Sequence, residues 1–404
     1  MKKIVFLSLV IIALQPSCMA QFLPLVSGER NELSLDINSI YSYNQYEKSR
    51  WGLGLQYDIA LEGERFRALV LSGYGAYGYE DERFKWGVKA DLQSKLKHQT
   101  HSYVAFFHDL TPFGTRNLEP YQLLSFTSTG SFMTRFFSDS YRLTLGFSRQ
   151  TSPKVTQCFE LRLSRERYLH NGDALYYPSS YSDLKNLKHF DFAEGRIFVS
   201  NNSGIRGELL IGAEGYWQPA RPGDPDTYEI NPFLRLLLQY EREFDLSAFE
   251  FNLFAQGGVT NEEAPYSRIF DLGGTWGSPI AMGRSLLTAR PNEFSANMFA
   301  LVCMKISTGR PLFDFESGSI AIGTAPTPFL LCNAAWGKGF KYAYPIAPDK
   351  GIAEVGVGID GILIWGSIKW GCAAAYRLTP ASAEYHYTDT RDNLALLFTA
   401  RIDL

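Results

Sequence analysis

"WGLGLQYDIAL", Trp51 to Leu61, sets Trp51, Leu53, Leu55, Tyr57, Ile59 and Leu61 on one face of an extended chain. Gly52, Gly54, Gln56, Asp58 and Ala60 fall on the other. Alternation with a period of two marks a strand between two unlike surroundings. Its length is about the 9 to 11 residues that a tilted strand needs to cross the hydrocarbon of a bilayer. The pattern recurs in "FKWGVKADL", where Phe84, Trp86, Val88, Ala90 and Leu92 oppose Lys85, Gly87, Lys89 and Asp91. In "YRLTLGFSR", Tyr141, Leu143, Leu145 and Phe147 oppose Arg142, Thr144, Gly146 and Ser148, and "FEFNLFAQ" and "AEVGVGIDG" repeat the rule near Phe249 and Val355.

A soluble two-sheet sandwich would alternate as well, so other features have to decide. Tyr and Trp recur near strand ends (Trp51, Tyr57, Tyr74, Tyr77, Tyr79, Trp217, Tyr240), as an interfacial girdle requires. Glycines alternate on the opposite faces (Gly87, Gly146, Gly356, Gly358), where strands curving around a barrel crowd one another. The chain is 15% aromatic, yet no stretch after the first twenty residues approaches a membrane helix. Its mean hydropathy is only −0.14, as expected when a polar interior offsets a lipid-facing outside.

The start, "MKKIVFLSLVIIALQPSCMA", has a basic head at Lys2 and Lys3, an apolar run from Ile4 to Leu14 and small residues before Gln21. This is the layout of a secretory signal peptide over 1–20, with cleavage expected after Ala20. Cys18 raises a lipoprotein alternative, against which Gln15, Pro16 and Ser17 stand where Leu and small residues are wanted. No linker interrupts 21–404, which reads as one domain: all-β, a transmembrane antiparallel β-barrel of about 16 strands, 14 being the alternative, at roughly 24 residues per strand with its loop. The cell outer membrane is the expected location and its lipids the expected surroundings. With 39 Lys and Arg against 42 Asp and Glu there is no basic footprint, so no nucleic-acid partner is expected.

The chain ends on "NLALLFTARIDL", Asn393 to Leu404, with Leu394, Leu396, Phe398, Ala400, Ile402 and Leu404 on one face. A strand running to the last residue needs partners on its edges. It is expected to close the barrel against "NELSLDINSIYSY" from Asn31. Phe398, Ala400, Ile402 and Leu404 also look like the signal strand that barrel assembly machinery reads, which would make this protein a client of that machinery.

No catalytic, metal or cofactor site is expected. His98 and His101 would form a ligand pair only on a helix. "HNGD" from His170 is first a tight turn, although an outer-rim hydrolase using His170 with Ser179 or Ser180 is an alternative. Cys158, Cys303, Cys332 and Cys372 are spread too widely for a zinc knuckle or a disulfide framework and are expected as isolated buried or lipid-facing thiols. Arg142, Arg162, Arg165 and Arg167 are expected to face inward and pair with Glu160, Glu166 and Asp91 across the lumen.

The run "FEFNLFAQGGVTNEEAPYSRIFDLGG" from Phe249, with "NEFSANMF" from Asn292, resembles the C-terminal barrel of a poorly characterised Bacteroidota outer-membrane family. Gly257 and Gly258, Pro265 and Tyr266, and Leu272 carry the resemblance, which continues through "GRPLFDF" from Gly309 and from Gly351 to the terminal strand. That family is in turn similar to the sixteen-stranded surface-antigen barrels that assemble or translocate outer-membrane proteins. The resemblance implies the same barrel size and a loop between Gly273 and Phe294 folding into the lumen, with Gly274, Arg284 and Arg290 within it. The chain departs from the pattern in two ways. Its first expected strand follows the signal closely, leaving no room for periplasmic client-binding domains, and Arg284 is followed by Ser285 and Leu286 instead of Gly and an aromatic residue. A separate periplasmic or lipoprotein partner could supply the client-binding part. The expected function is a non-enzymatic barrel of envelope assembly, translocation or scaffolding. The alternatives are a small-solute channel and, third, a lipid hydrolase.

Overall fold

Branched and aromatic side chains on one face, with small, polar or charged ones on the other, direct almost the whole chain into β-strands. The computed structural model describes residues 22–44, 46–95, 100–114, 116, 118, 136–170, 189–218, 227–273, 284–289, 294–313, 315–317, 322–339, 347–365, 368–379 and 393–402. The expected signal peptide therefore lies outside the described residues.

The strands are β1 (Phe22–Ser27), β2 (Asn31–Asp36), β3 (Tyr41–Asn44), β4 (Lys48–Ala60), β5 (Phe66–Gly78), β6 (Phe84–Ser94), β7 (Thr100–Pro112) and β8 (Phe136–Ser152). They continue as β9 (Val155–His170), β10 (Phe190–Asn201), β11 (Ile205–Gln218), β12 (Thr227–Asp245), β13 (Phe249–Thr260), β14 (Phe270–Asp271), β15 (Ser295–Ala296) and β16 (Met298–Thr308). The last are β17 (Phe315–Ser317), β18 (Ile322–Thr324), β19 (Thr327–Lys338), β20 (Ile352–Trp365), β21 (Ile368–Arg377) and β22 (Leu394–Ile402). All but β14 and β15 join one sheet, every ladder of it antiparallel. The short turn Ile37–Ser39 interrupts one wall strand into β2 and β3, which both pair with β4. Counted that way, and leaving aside the short β1 and the β17–β18 hairpin, the described residues make sixteen wall strands.

Short turns such as 153–154, 202–204 and 246–248 gather at one end of the wall, with the connection that carries the β17–β18 hairpin, and most of the other longer connections lie at the opposite end. Gly204 shows how tight the short end is: its φ is +91° and an added Cβ would lie 1.8 Å from the Glu241 carbonyl oxygen, so only glycine fits.

The face pattern is reversed relative to a soluble protein. Leu145, Leu161, Ile211, Leu238 and Val357 are exposed on the outside, while Glu160, Glu166, Glu194, Arg196 and Glu208 are buried on the inside. An apolar outer band around a charged interior is the arrangement of a transmembrane barrel. Trp51, Tyr77, Tyr141, Trp217 and Tyr228 ring its outer surface near the long-loop end. Inside, bulky residues lie over glycines of the next strand. The Tyr103 ring occupies the space above Gly146, where a Cβ would come within 2.0 Å of it.

Three expectations are corrected. Tyr74, expected in the aromatic girdle, is buried on the inner face over Gly87, and its hydroxyl donates to Asp109 at 2.6 Å. Arg165 and Arg167 share the parity of Leu161 and Leu163 and so stand on the outer face, where Arg165 is bound to Asp191 and Arg167 to Asp139. The edge of β2 is taken by β1, in the register Phe22 to Asp36, so it does not receive the terminal strand. β22 pairs with β21, placing Phe398, Ala400 and Ile402 opposite Cys372, Trp370 and Ile368. Among the described residues no ladder joins β22 to β1 or β2.

Candidate functional site in the barrel lumen

Between β13 and β16 the chain leaves the wall and turns inward. The Thr260 amide donates to the Asn297 carbonyl at 2.7 Å, pinching the two ends of the excursion together. Pro265, with its fixed φ, starts a single 3-10 turn over Tyr266–Arg268, all three residues of which are buried. The return path pairs with the outgoing one: β14 with β15, a bridge between Gly273 and Leu286, and the Leu272 amide on the Phe294 carbonyl at 2.8 Å. Gly273 and Phe294 are thus buried inside the wall, whereas Gly274 and Arg290 lie outside the described residues.

Two polar clamps hold this segment to different parts of the wall. At the first, Arg268 donates through Nη2 to Glu166 Oε1 at 2.8 Å and through Nε to Glu194 Oε1 at 2.6 Å, with its guanidinium 4.2 Å from the centre of the Phe192 ring. Glu166 also accepts from Ser138, Ser164 and Arg142. Burial alone would favour discharge of Arg268; the Glu166 and Glu194 carboxylates outweigh it and push its pKa well above the ordinary arginine value. At the second, Glu354 on β20 accepts from the amides of Leu287 and Thr288 at 2.6 and 2.9 Å and from the Thr288 hydroxyl at 2.7 Å. Arg377 on β21 donates to the Thr288 carbonyl at 2.7 Å, and Asn333 on β19 donates to Glu354 at 2.7 Å. A carboxylate capping two consecutive amides fixes backbone as well as side chain.

Phe113, Gly114, Arg116 and Leu118 lie along this inward segment. The Gly114 carbonyl accepts from the Asp271 amide at 3.1 Å, and Arg116 donates to the Asp271 carbonyl and, at 2.7 Å, to the Gln256 side chain. Burial pulls the Arg116 guanidinium down to about 10, although Asp271 opposes it. Leu118, Phe270, Leu272, Leu286 and Phe294 then pack with Phe198, Leu237, Phe254 and Phe299 of the wall into one apolar cluster. The interior is therefore charged beside β8 to β12 and largely apolar where the segment rests on β12, β13 and β16. Arg284 reaches Glu241 on β12 at 2.6 Å.

Of the lumen loop expected from Gly273 to Phe294, only Gly273, 284–289 and Phe294 are among the described residues, and the expectation did not include the buried turn at Tyr266–Arg268. The only hint was a Pro beside an aromatic and a lone Arg in "APYSR". Of the other expected groups, Arg142 and Glu166 do meet inside at 3.1 Å, Arg162 meets Glu160, and Asp91 lies beside Lys89 and His101. Cys158 and Cys303 are buried, and Cys332 and Cys372 are exposed. His98, Ser179, Ser180 and Leu404 lie outside the described residues. Among the described residues no group of His, Cys, Asp or Glu is placed to hold a metal.

No family model and no curated protein matches the chain. Solved structures with which it aligns include BamA from Haemophilus ducreyi lacking POTRA domains 1-3, at 10% identity over 93% of this chain and 70% of that one, with a TM-score of 0.49. CdiB from Acinetobacter baumannii aligns at 11% identity over 92% of this chain, with a TM-score of 0.44. CdiB from Escherichia coli aligns at 10% over 94%, with a TM-score of 0.45. The chain spans 59% and 63% of the two CdiB chains. The barrel assignment rests on the ladders and the reversed faces of this chain itself.

Proposed function

We propose that this protein is an integral outer-membrane barrel of the surface-antigen type, working without catalysis in envelope assembly, translocation or scaffolding, with its lumen held shut at rest by the inward residues 261–273, 284–289 and 294–297. The observation that carries the reading is the double clamp. Arg268 is fixed to β9 and β10, and Thr288 to β20 and β21, so one short excursion ties opposite parts of the wall together through buried charge. A wall that needed only stability would be better served by apolar filling, because buried ion pairs are costly to desolvate. A segment that must let go is served by contacts that water and competing charge can replace. On this reading the terminal strand through Phe398, Ala400 and Ile402 is what barrel assembly machinery reads on this client, and a periplasmic or lipoprotein partner supplies what the barrel lacks.

The test compares the outer-membrane proteome of cells with and without the gene. Broad loss of other barrels or surface lipoproteins supports the assembly role, and an unchanged proteome sinks it. A small-solute channel is the second reading, favoured by the charged inner wall at Glu160, Arg196, Glu208 and Arg235, which are linked in sequence by ion pairs. It predicts discrete conductance steps from the wild-type protein in a planar bilayer. The lipid-hydrolase reading, on His170 with Ser179 or Ser180, has least support: both serines lie outside the described residues, and no observation favours it.

A further inference from the structure

On the lipid-facing side, consecutive ladders align Trp86, His108, Tyr141, Arg165 and Asp191 in one row across β6 to β10. Arg167 and Asp139 face each other one step nearer the long-loop end, and Arg83 joins them from the turn before β6. Polar and aromatic residues in a continuous outward row mark the level of the headgroups. The next outward rows are apolar, first Val88, Phe106, Leu143, Leu163 and Ala193, then Ala90, Val104, Leu145, Leu161 and Gly195.

The charges in the polar row do not balance. Arg83, Arg167 and His108 all converge on the single carboxylate Asp139, at 2.6, 3.1 and 2.7 Å, and Arg165 has Asp191 at 2.7 Å. Three guanidinium groups thus face two carboxylates, and the side chains of Arg83, Arg165 and Arg167 remain 41%, 61% and 36% exposed. Guanidinium groups with free donors at headgroup depth suit phosphate oxygens.

Beneath this row the wall is hollowed by a shallow concavity of about 740 Å³, bordered by Leu145, Phe159, Leu161, Ile197 and Ile211. Its floor includes Gly195, where an added Cβ would find only the Ile211 carbonyl oxygen, at 3.9 Å. From Arg165 to Leu161 is four residues, roughly 13 Å along a strand. At the usual tilt that is about 10 Å of depth, which puts the hollow among acyl chains.

We propose that this outer face of β6 to β11 binds a phosphate-bearing acyl lipid, its anionic headgroup on Arg83, Arg165 and Arg167 and one chain in the hollow over Gly195. The lipid belongs to the leaflet on the long-loop side. Neither half would suffice alone: the arginines select net negative charge, and the hollow holds a chain that a smooth wall would let slide.

The test uses the full chain in nanodiscs of equal parts phosphatidylglycerol and phosphatidylcholine, released for native mass spectrometry. Wild type should retain phosphatidylglycerol several-fold above its share. R165Q/R167Q should lose that enrichment, and G195L, which projects into the hollow from a position where a Cβ makes only ordinary van der Waals contact, should lower retention of both lipids. Heat-modifiable migration on a gel shows that each variant is a folded barrel, and a variant that fails it is replaced by R83Q or G195V. No enrichment in wild type, enrichment indifferent to the arginines, or retention indifferent to residue 195 would each overturn the site.

Discussion

Arg268 is the residue on which the first clamp depends. Two carboxylates, Glu166 and Glu194, are buried against it. R268A would remove the cation paired with Glu194 while Glu166 keeps Arg142, and breaking a buried pair from one side costs about 3–5 kcal/mol. The apolar cluster around Phe270 and Leu286 still holds the other half of the segment, so the expected loss is local. Limited proteolysis of the folded barrel should cut within 261–273 in R268A and spare wild type, with R268K intermediate because an ammonium cannot span both carboxylates in the same way. Equal protection of wild type and R268A would show that the clamp is dispensable.

Glu47, in the loop before β4, supplies a pH dependence. Burial would raise its carboxyl, but Arg50 and Lys85 outweigh burial and hold it below the ordinary value. A carboxyl lowered in the folded state stabilises fully above its unfolded pKa of about 4.3, and that contribution disappears as pH falls through the lowered value. Acid titration of the folded barrel by intrinsic fluorescence should therefore show destabilisation below roughly pH 4 that is weaker in E47Q. Identical acid profiles for the two proteins would remove Glu47 from the account.

At the scale of the strand, parity decides the environment of every side chain. Cys158 and Cys303 point inward and Cys332 and Cys372 outward. In bilayers, a lipid-soluble maleimide should label Cys332 and Cys372 and leave Cys158 and Cys303 unmodified, and a reversed pattern would mean a register shifted by one residue. The turn joining β10 to β11 makes a sharper demand. G204A forces a side chain into a left-handed position against the Glu241 carbonyl and should cost about 1–3 kcal/mol, read as a lower urea midpoint for refolding into micelles.

At the scale of the whole molecule the wall is a single sheet, and its stability depends on how the ends of that sheet meet. β1 covers the edge of β2 for only six residues, whereas β21 and β22 pair over nine. If the inward segment is what closes the lumen, R268A should raise the conductance of reconstituted barrels above that of wild type. Unchanged current in a variant shown by proteolysis to have lost the clamp would mean that the lumen is blocked elsewhere.

The amino-acid sequence settled the wall. A period of two, with lipid outside and charge inside, is written residue by residue in stretches such as Trp51–Leu61 and Tyr141–Arg149, because each strand meets its environment independently of which strand lies beside it. The same rule, applied strictly, would have put Arg165 and Arg167 outside with Leu161 and Leu163; reading all charge as inward hid it. The lumen was legible only in outline. Arg268 finds Glu166 and Glu194 more than seventy positions earlier in the chain, and Thr288 finds Glu354 some sixty later. No local pattern encodes pairings that exist only once the sheet has curved round to bring β9 and β20 to the same interior. The partner of β2 has the same origin: the six-residue β1 pairs with its edge, and edge pairing joins segments distant in sequence that only the assembled barrel brings together.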